Sequence, residues 1–270
     1  MDVDGAYARV RSWGMQQGAG RAMWVWSVEP PGAIVEFAER RSLDELFVHV
    51  PWNVGAPDVA PLARLVEMAH ARGLRTSALG GAPGWLDDPD GVVDRWLRPL
   101  VATNLFDRLH LDIEPAGELP DFTASVVERF VAVVRAVAEA RPAGWPLELD
   151  VRFWYPEVPA GDGDLTSALV DLVDSVTVLS YRNRTAGPDG SVALAQPTVA
   201  IAAAAGKSVR VGQETACVGT APHERKQTFH GHRRIDLETA MIRIDAAFAG
   251  LNTYTGTAVH DWHWYRQLRD

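Results

Sequence analysis

The sequence predicts one (β/α)₈ barrel that spans residues 1–270 as a single domain. Eight short apolar runs alternate with longer segments of helical spacing, and eight strand–helix repeats in about 250 residues is the size expected of this fold. The hydrophobic content of 47% is ample for one large core. A doubly wound open sheet is the alternative architecture, but the glycine fingerprint of a dinucleotide-binding fold is missing after the first apolar run.

The predicted strands are short runs rich in leucine, β-branched and aromatic residues. They occupy residues 22–27, 45–50, 75–79, 108–113, 147–153, 175–181, 208–212 and 256–260. Helical spacing is clearest in residues 60–73, 125–142 and 236–250. Too few residues follow the eighth run to form a closing helix. The helical pattern at 3–13 therefore predicts an N-terminal helix that covers the seam, with a disordered N-terminus as the alternative.

The composition narrows the possible partners. The net charge of −9 and the lack of any Lys/Arg run argue against nucleic acid and favour a small neutral or cationic ligand. Cys217 is the single cysteine, which excludes an internal disulfide and a cysteine-based zinc cluster. Neither a secretion signal nor an apolar segment of membrane-spanning length is visible. We therefore expect a cytoplasmic protein that has no cofactor and no membrane contact.

The fourth predicted strand carries acids on an otherwise apolar run. Its sequence, FDRLHLDIEP over 106–115, alternates with period two and so has two different faces. A buried carboxylate is costly unless it is paired, hydrogen-bonded or protonated. This strand therefore belongs to a polar network or carries chemistry. The apolar face consists of Leu109, Leu111 and Ile113, and the polar face consists of His110, Asp112 and Glu114.

The fifth predicted strand repeats this pattern with Glu148, Asp150 and Arg152. If these side chains point into the barrel, Arg152 can neutralise Asp150 or Asp112, which is a structural role. Chemistry in such barrels occurs at the C-terminal ends of the strands, where Glu114 stands. Asp112 close to Glu114 disfavours double ionisation and raises one pKa, which keeps a proton available. We therefore predict that Glu114 is a general acid/base and that Asp112 assists it.

Polar and aromatic residues follow most of the other predicted strands. The sequence contains ten tryptophans, and several of them follow directly after predicted strands, at the rim of the barrel mouth. Flat aromatic faces in a cleft commonly stack on sugar rings, although a core position is the alternative for each of them. Glu214 supplies a second candidate catalytic carboxylate, unless it pairs with Arg182 or Arg184. The predicted substrate contacts are Tyr181, Arg152, His110, Trp52, Trp85, Trp154, Tyr155, His260 and Trp262.

The longest segment without a clear pattern follows the seventh strand, over residues 215–234. Long loops after barrel strands often form lids and specificity elements. This loop contains His223, His230 and His232, but their spacing matches no strong metal motif. We expect solvated histidines and no metal site.

The motif DRLHLDIE at 107–114 resembles the DxxDxDxE motif of chitinase-type glycoside hydrolases, with His110 in place of the middle aspartate. The segment LSYR at 179–182 resembles the tyrosine-bearing segment of these enzymes, and HDWHWY at 260–265 resembles their strand-eight floor. The chain is most similar to a group of bacterial barrel proteins that look like glycosidases. This resemblance covers most of residues 22–268 and implies a barrel with its site at the mouth.

The resemblance implies specific roles for the candidate residues. In the chitinase-type enzymes the motif glutamate protonates the leaving oxygen, which assigns that role to Glu114. Asp112 would orient an N-acetyl group, and Tyr181 would help to hold it. In another broad class of barrel glycosidases the acid follows strand four and the nucleophile follows strand seven, which would assign these roles to Glu114 and Glu214. That class carries Asn where this chain has Ile113, so both templates stay open.

The sequence thus predicts an enzyme that hydrolyses a glycosidic or sugar-like bond, with Glu114 as general acid/base and a carbohydrate or other small molecule as substrate. One alternative is an isomerase, lyase or cyclase that uses the same carboxylates. Another is a sugar-binding barrel without activity, which His110 at the expected aspartate suggests.

Overall fold

The computed structural model describes residues 19–115 and 122–270. Eight parallel strands form a closed barrel, which confirms the predicted (β/α)₈ fold. The strands are β1 Gly20–Val25, β2 Glu45–His49, β3 Arg75–Gly80, β4 Leu109–Leu111, β5 Leu147–Arg152, β6 Ser175–Leu179, β7 Ser208–Glu214 and β8 Tyr254–His260. Every predicted strand overlaps an observed one. The predicted seam-covering helix at 3–13 lies outside the described residues.

Helices connect the strands on the outside of the barrel. They are α1 Pro31–Arg40, α2 Ala56–His70, α3 Pro89–Val92, α4 Arg98–Thr103, α5 Ala124–Ala140, α6 Leu165–Val170, α7 Ser191–Ala204, α8 Pro222–Arg225, α9 Arg234–Phe248 and α10 Trp262–Tyr265. A π-helical turn, Val93–Leu97, joins α3 to α4, and a short hairpin pairs Pro159–Ala160 with Gly163–Asp164. Within the described ranges, no helix has the length and apolar character to cross a bilayer.

The strands separate two sets of side chains because they alternate with period two. One set packs outward against the helices in the main core, including Leu109, Leu111 and Ile113 of the fourth strand segment. The other set points into the barrel. In its middle layer Trp24, Phe47, Leu79, Leu179 and Ala258 form a small apolar cluster.

A buried ionic network closes the lower end of the barrel. Arg210 contacts Glu45 at 3.0 Å and Glu148 at 3.2 Å, and Ser77 donates a hydrogen bond of 2.6 Å to Glu45. Burial alone would raise the pKa of Glu45, but the charge of Arg210 and the Ser77 hydrogen bond outweigh burial and lower the pKa to about 2. The charged side chains at this end are therefore paired, and the open mouth lies at the other end.

A glycine pair fixes the approach of β3 to the next strand. The backbone N–H of Asp112 donates to the carbonyl oxygen of Gly80 at 2.9 Å. A Cβ atom on Gly81 would overlap the carbonyl oxygen of Asp112, and one on Gly80 would overlap the Trp96 ring. Glycine is thus required for the loop after β3 to pass beside Asp112.

Candidate active site

Side chains from β4 and β5 meet inside the barrel. The strands pair in parallel with His110 beside Glu148 and Leu111 beside Leu149. His110 lies below Asp150, and its Nε2 atom is 2.9 Å from Asp150 Oδ2. The polar residues of both strands therefore lie on the lumen side of the barrel.

His110 is fully buried, and its ring stacks on Phe47 with 3.7 Å between centroids. Burial lowers the pKa of His110, so its neutral form donates Nε2–H to Asp150. The expectation that His110 contacts substrate is corrected, because the side chain has no exposed surface. It supports Asp150 instead.

Asp150 is also nearly fully buried, and it accepts a second hydrogen bond, of 3.1 Å, from the indole N–H of Trp24. Burial raises the pKa of Asp150 well above its ordinary value, and the charge of Glu148 raises it further. Asp112 shows the same direction: burial, Asp150 and Glu114 raise its pKa well above the ordinary range. The carboxyl groups of Asp112 and Asp150, which lie below the mouth, therefore favour the protonated form.

Glu114 lies at the mouth, where its side chain is 42% exposed. Arg152 donates its Nε–H to Glu114 Oε2 at 2.8 Å, and its guanidinium also packs over Trp154 at 5.7 Å. The predicted pairing of Arg152 with Asp150 or Asp112 is wrong, because Arg152 forms its ion pair with Glu114. His110 pairs with Glu148 across the two strands. Glu114 and Arg152 each lie four residues further along the chain, so the same register brings them together.

On the opposite side of the mouth, Glu214 is nearly buried and fixed by several donors. The backbone N–H groups of Thr215 and Ala216 both donate to its Oε1 atom at 2.7 Å. His260 Nδ1 lies 3.0 Å from its Oε2 atom. The alternative pairing with Arg182 or Arg184 is wrong. Both arginines pair with Asp189.

His260 joins this carboxylate to Trp26, which is not among the predicted substrate contacts. The indole N–H of Trp26 donates to His260 Nε2 at 2.8 Å. Burial would lower the pKa of His260, but the hydrogen bond and charge of Glu214 outweigh burial and raise the pKa to about 9. A protonated Nε2 cannot accept the Trp26 hydrogen bond, so the two contacts favour different protonation states of His260.

Tyr181 follows β6 and packs against the apolar middle layer. A Cβ atom on Gly212 would lie only 3.2 Å from the Tyr181 ring, so the glycine makes room for the tyrosine beside β7. Burial raises the pKa of Tyr181 well above its ordinary value, and Glu214 and Asp150 raise it further. Its hydroxyl group therefore stays protonated and can donate a hydrogen bond.

The aromatic residues at the rim fall into two groups. Trp26 and Trp52 are exposed, each at 37%, and can meet a ligand. Trp52 also contacts Trp85 at 5.5 Å, and Arg95 lies over its ring. The predicted substrate contacts at Trp85 and Tyr155 are wrong because these side chains are buried, whereas the largely buried Trp262 forms part of the wall of a cleft. Trp154 is half-buried beside Phe122.

A cleft of about 360 Å³ opens between the ends of β1 and β8. Trp26 lies on one side of it and Trp264 on the other, with Glu29 and Arg266 adding opposite charges. Its other lining residues are Ser27, Pro30, Asp261, Trp262 and His263. Trp26, which lines this cleft, also donates a hydrogen bond to His260.

The loop histidines are exposed. His230 packs on Trp264 with 5.2 Å between centroids, and His232 lies near the Asn183 amide. In the part of the chain that the structure describes, no group of three or more His, Cys, Asp or Glu residues is arranged to hold a metal ion.

The sequence pattern does not single out two important positions of the site. Trp26 follows Trp24 by two positions in AMWVWS, so the period-two pattern places both on the lumen side. Asp150 was expected to bind Arg152, because a single strand pattern does not show which neighbour a buried acid meets. Cross-strand contacts with His110 and Trp24 decide its environment.

No model of a known protein family and no curated protein matches this sequence. Several solved structures with a similar fold are chitinases. A chitinase from Bacteroides thetaiotaomicron has a TM-score of 0.62 at 10% identity, over 91% of this chain and 90% of that chain. The spore cortex-lytic enzyme SleL from Bacillus megaterium has a TM-score of 0.59 at 11% identity, over 92% of this chain and 71% of that one.

The similar structures also include an enzyme of another class. The YdjI aldolase from Escherichia coli has a TM-score of 0.50 at 13% identity, over 94% of this chain and 78% of that chain. At such low identities these likenesses establish the fold and leave the reaction to be argued from the site. The chain shares its (β/α)₈ barrel with chitinases and with this aldolase.

Proposed function

We propose that this protein is a glycoside hydrolase in which Glu114 is the general acid/base. The observation that carries the proposal is the position of Glu114. It is partly exposed at the mouth, and on the same strand face Asp112 lies below it with a raised pKa. A carboxyl group within reach of a bound ligand, with a second one behind it, is the arrangement that proton transfer to a glycosidic oxygen requires.

Arg152 sets a condition on this role. The Nε–H of Arg152 occupies Oε2 of Glu114, whereas a general acid must direct its own proton at the leaving oxygen. The acid role therefore requires that the bound substrate draws Arg152 away from Glu114, for example by accepting hydrogen bonds from the guanidinium. The Arg152 guanidinium also packs over the Trp154 ring. This contact would hold the guanidinium at the mouth after it leaves Glu114.

The contacts of Glu214 support the substrate-assisted template over the two-glutamate template. Both oxygens of Glu214 are already engaged, and the side chain is almost buried. A nucleophile must approach the anomeric carbon directly. We infer that Glu214 holds His260 in place, while Asp112 and the protonated Tyr181 hold an N-acetyl group that acts as the internal nucleophile. The proposed substrate class is therefore an N-acetylhexosaminide.

The test is a panel of chromogenic glycosides of N-acetylglucosamine and of glucose, assayed with the parent and with Glu114→Gln. We expect turnover of the N-acetylated compounds, lowered at least about 100-fold by Glu114→Gln, which is typical for loss of a general acid. Glu67→Gln is the matched control because Glu67 is exposed on α2. An unchanged rate in Glu114→Gln would reject the assignment.

A sugar-binding barrel without turnover is the second candidate, because Arg152 engages the Glu114 carboxyl group that a general acid would need to have free. Calorimetric titration with N-acetylglucosamine oligomers separates the two. Binding that is unchanged in Glu114→Gln, with no product formed by the parent, would support the second candidate.

A further inference from the structure

We propose that Asp112 and Asp150 share a single proton between their Oδ1 atoms, and that Asp150 is a positioning residue for Asp112. The shared proton is inferred from the strand register and from two buried oxygen atoms that lack partners among the described residues. Its consequence for catalysis rests on the proposed function.

The parallel pairing of β4 and β5 ends with Leu111 beside Leu149, and Asp112 and Asp150 are the next residue along each chain. Below them, His110 is paired with Glu148 on the neighbouring strand, and their side-chain atoms are 3.8 Å apart. Above them, Arg152 contacts Glu114 at 2.8 Å. Asp112 and Asp150 occupy the lumen position between these two cross-strand pairs, so their carboxyl groups are adjacent.

Each aspartate also presents one buried oxygen atom that lacks a hydrogen-bond partner among the described residues. In Asp150 both donors, from Trp24 and His110, bind Oδ2, and Oδ1 is left over. In Asp112 the unpartnered atom is also Oδ1. An unpaired buried oxygen is costly, and an O–H···O⁻ hydrogen bond between the two groups satisfies both atoms with one proton.

The nearby cations are engaged elsewhere, so they do not balance two aspartates. Arg210 pairs with Glu45 and Glu148, Arg152 pairs with Glu114, and His260 pairs with Glu214. His110 is neutral because burial lowers its pKa. The charged or titratable groups around the pair are Glu114, Glu148, His110, His260, Arg152, Arg210, Glu214, Tyr155 and Tyr181. With one proton, the pair carries a single negative charge.

This proton can occupy either side of the pair. With the proton on Asp150, Asp112 is a carboxylate that accepts a hydrogen bond from a substrate N–H group. When Glu114 gives its own proton to the leaving oxygen, it gains a negative charge close to Asp112. The shared proton then moves from Asp150 Oδ1 to Asp112 Oδ1, which relieves the repulsion without any net change in protonation of the pair.

The test is infrared spectroscopy of the whole protein labelled at the aspartate carboxyl carbons, at neutral pH and without substrate. We expect a C=O stretch from a protonated aspartate that is lost in both Asp112→Asn and Asp150→Asn. Asp171→Asn, at an exposed site, is the matched control and should keep the band. Absence of the band in the parent, or a band that survives in both variants, would overturn the proposal.

Two further measurements keep the proposal testable. If a variant fails to fold, the carboxyl carbon resonances of the parent alone decide: the proposal requires one aspartate that stays in the acid form at neutral pH, with neutral His110. On a confirmed substrate, Asp150→Asn should lower kcat at least about 10-fold and change its pH profile, with KM nearly unchanged. A band in a protein that cleaves no glycoside would keep the shared proton and reject only the proposed function.

Discussion

His260 is held by two hydrogen bonds that favour opposite protonation states. Glu214 favours the imidazolium, whereas Trp26 donates to Nε2 and favours the neutral ring. The hydrogen bond and the charge of Glu214 outweigh burial and raise the pKa of His260, so the imidazolium is favoured. Protonation of His260 therefore releases the Trp26 indole at the edge of the mouth.

Replacement of Trp26 by Phe tests this competition. Loss of the indole N–H removes a contact that stabilises neutral His260, so the pKa of His260 should rise further above about 9. The expected rise is about 0.7, because a hydrogen bond contributes about 1 kcal/mol and one pKa unit corresponds to about 1.4 kcal/mol. The measurement is a titration of the ring by NMR. Trp264→Phe is the control, and a lower pKa in Trp26→Phe would show that the indole does not bond to His260 in solution.

At the scale of elements, the positions of the strands could be predicted from the sequence, but the side-chain contacts between neighbouring strands could not. Alternation along 106–115 correctly separated an outward apolar face from an inward polar face. The same alternation could not show that Arg152 meets Glu114, because that contact depends on how two strands are placed in register. Burial of Trp85 and Tyr155 was equally hidden, because it depends on the loops and helices that cover them.

The loop after β3 gives a prediction about how a strand end is positioned. In Gly81→Ala the new methyl group would overlap the Asp112 carbonyl oxygen, so the backbone must shift. Overpacking of this kind typically costs about 1–3 kcal/mol of unfolding free energy. Gly84→Ala, in the short 3₁₀ helix Pro83–Asp87 that follows this loop, is the control because no atom lies within 4 Å of the position of its Cβ. Equal urea midpoints for the two variants would contradict the close approach.

At the scale of the whole molecule, the barrel stacks three layers that differ in polarity. The lower layer pairs Glu45 and Glu148 with Arg210, and the middle layer around Trp24 and Phe47 is largely apolar. The upper layer, at the mouth, contains the carboxyl groups of Asp112, Glu114 and Glu214, whose charges are only partly neutralised. A structural ion network thus closes one end of the lumen, and the unbalanced carboxyl groups are left at the end where a ligand can enter.

The two glycosidase templates differ in what they require across the mouth. Strands β5 and β6 separate β4 from β7 in the barrel, so Glu114 and Glu214 approach the centre from different sides. Retention through a covalent intermediate needs their carboxyl groups about 5–5.5 Å apart, and direct inversion needs about 6.5–9.5 Å. Substrate assistance needs neither spacing, because the N-acetyl group itself attacks the anomeric carbon.

Glu214→Ala, assayed with and without azide on a confirmed substrate, distinguishes these templates. Since Glu214 is engaged by Thr215, Ala216 and His260, we expect a loss of activity that azide does not restore, together with a lower pKa for His260. The pKa should fall because the carboxylate that stabilises the imidazolium is gone. Product analysis by NMR provides the readout for azide. Formation of an inverted glycosyl azide would establish Glu214 as the nucleophile and would reject the substrate-assisted template, because azide can replace only a carboxylate that reaches the anomeric carbon.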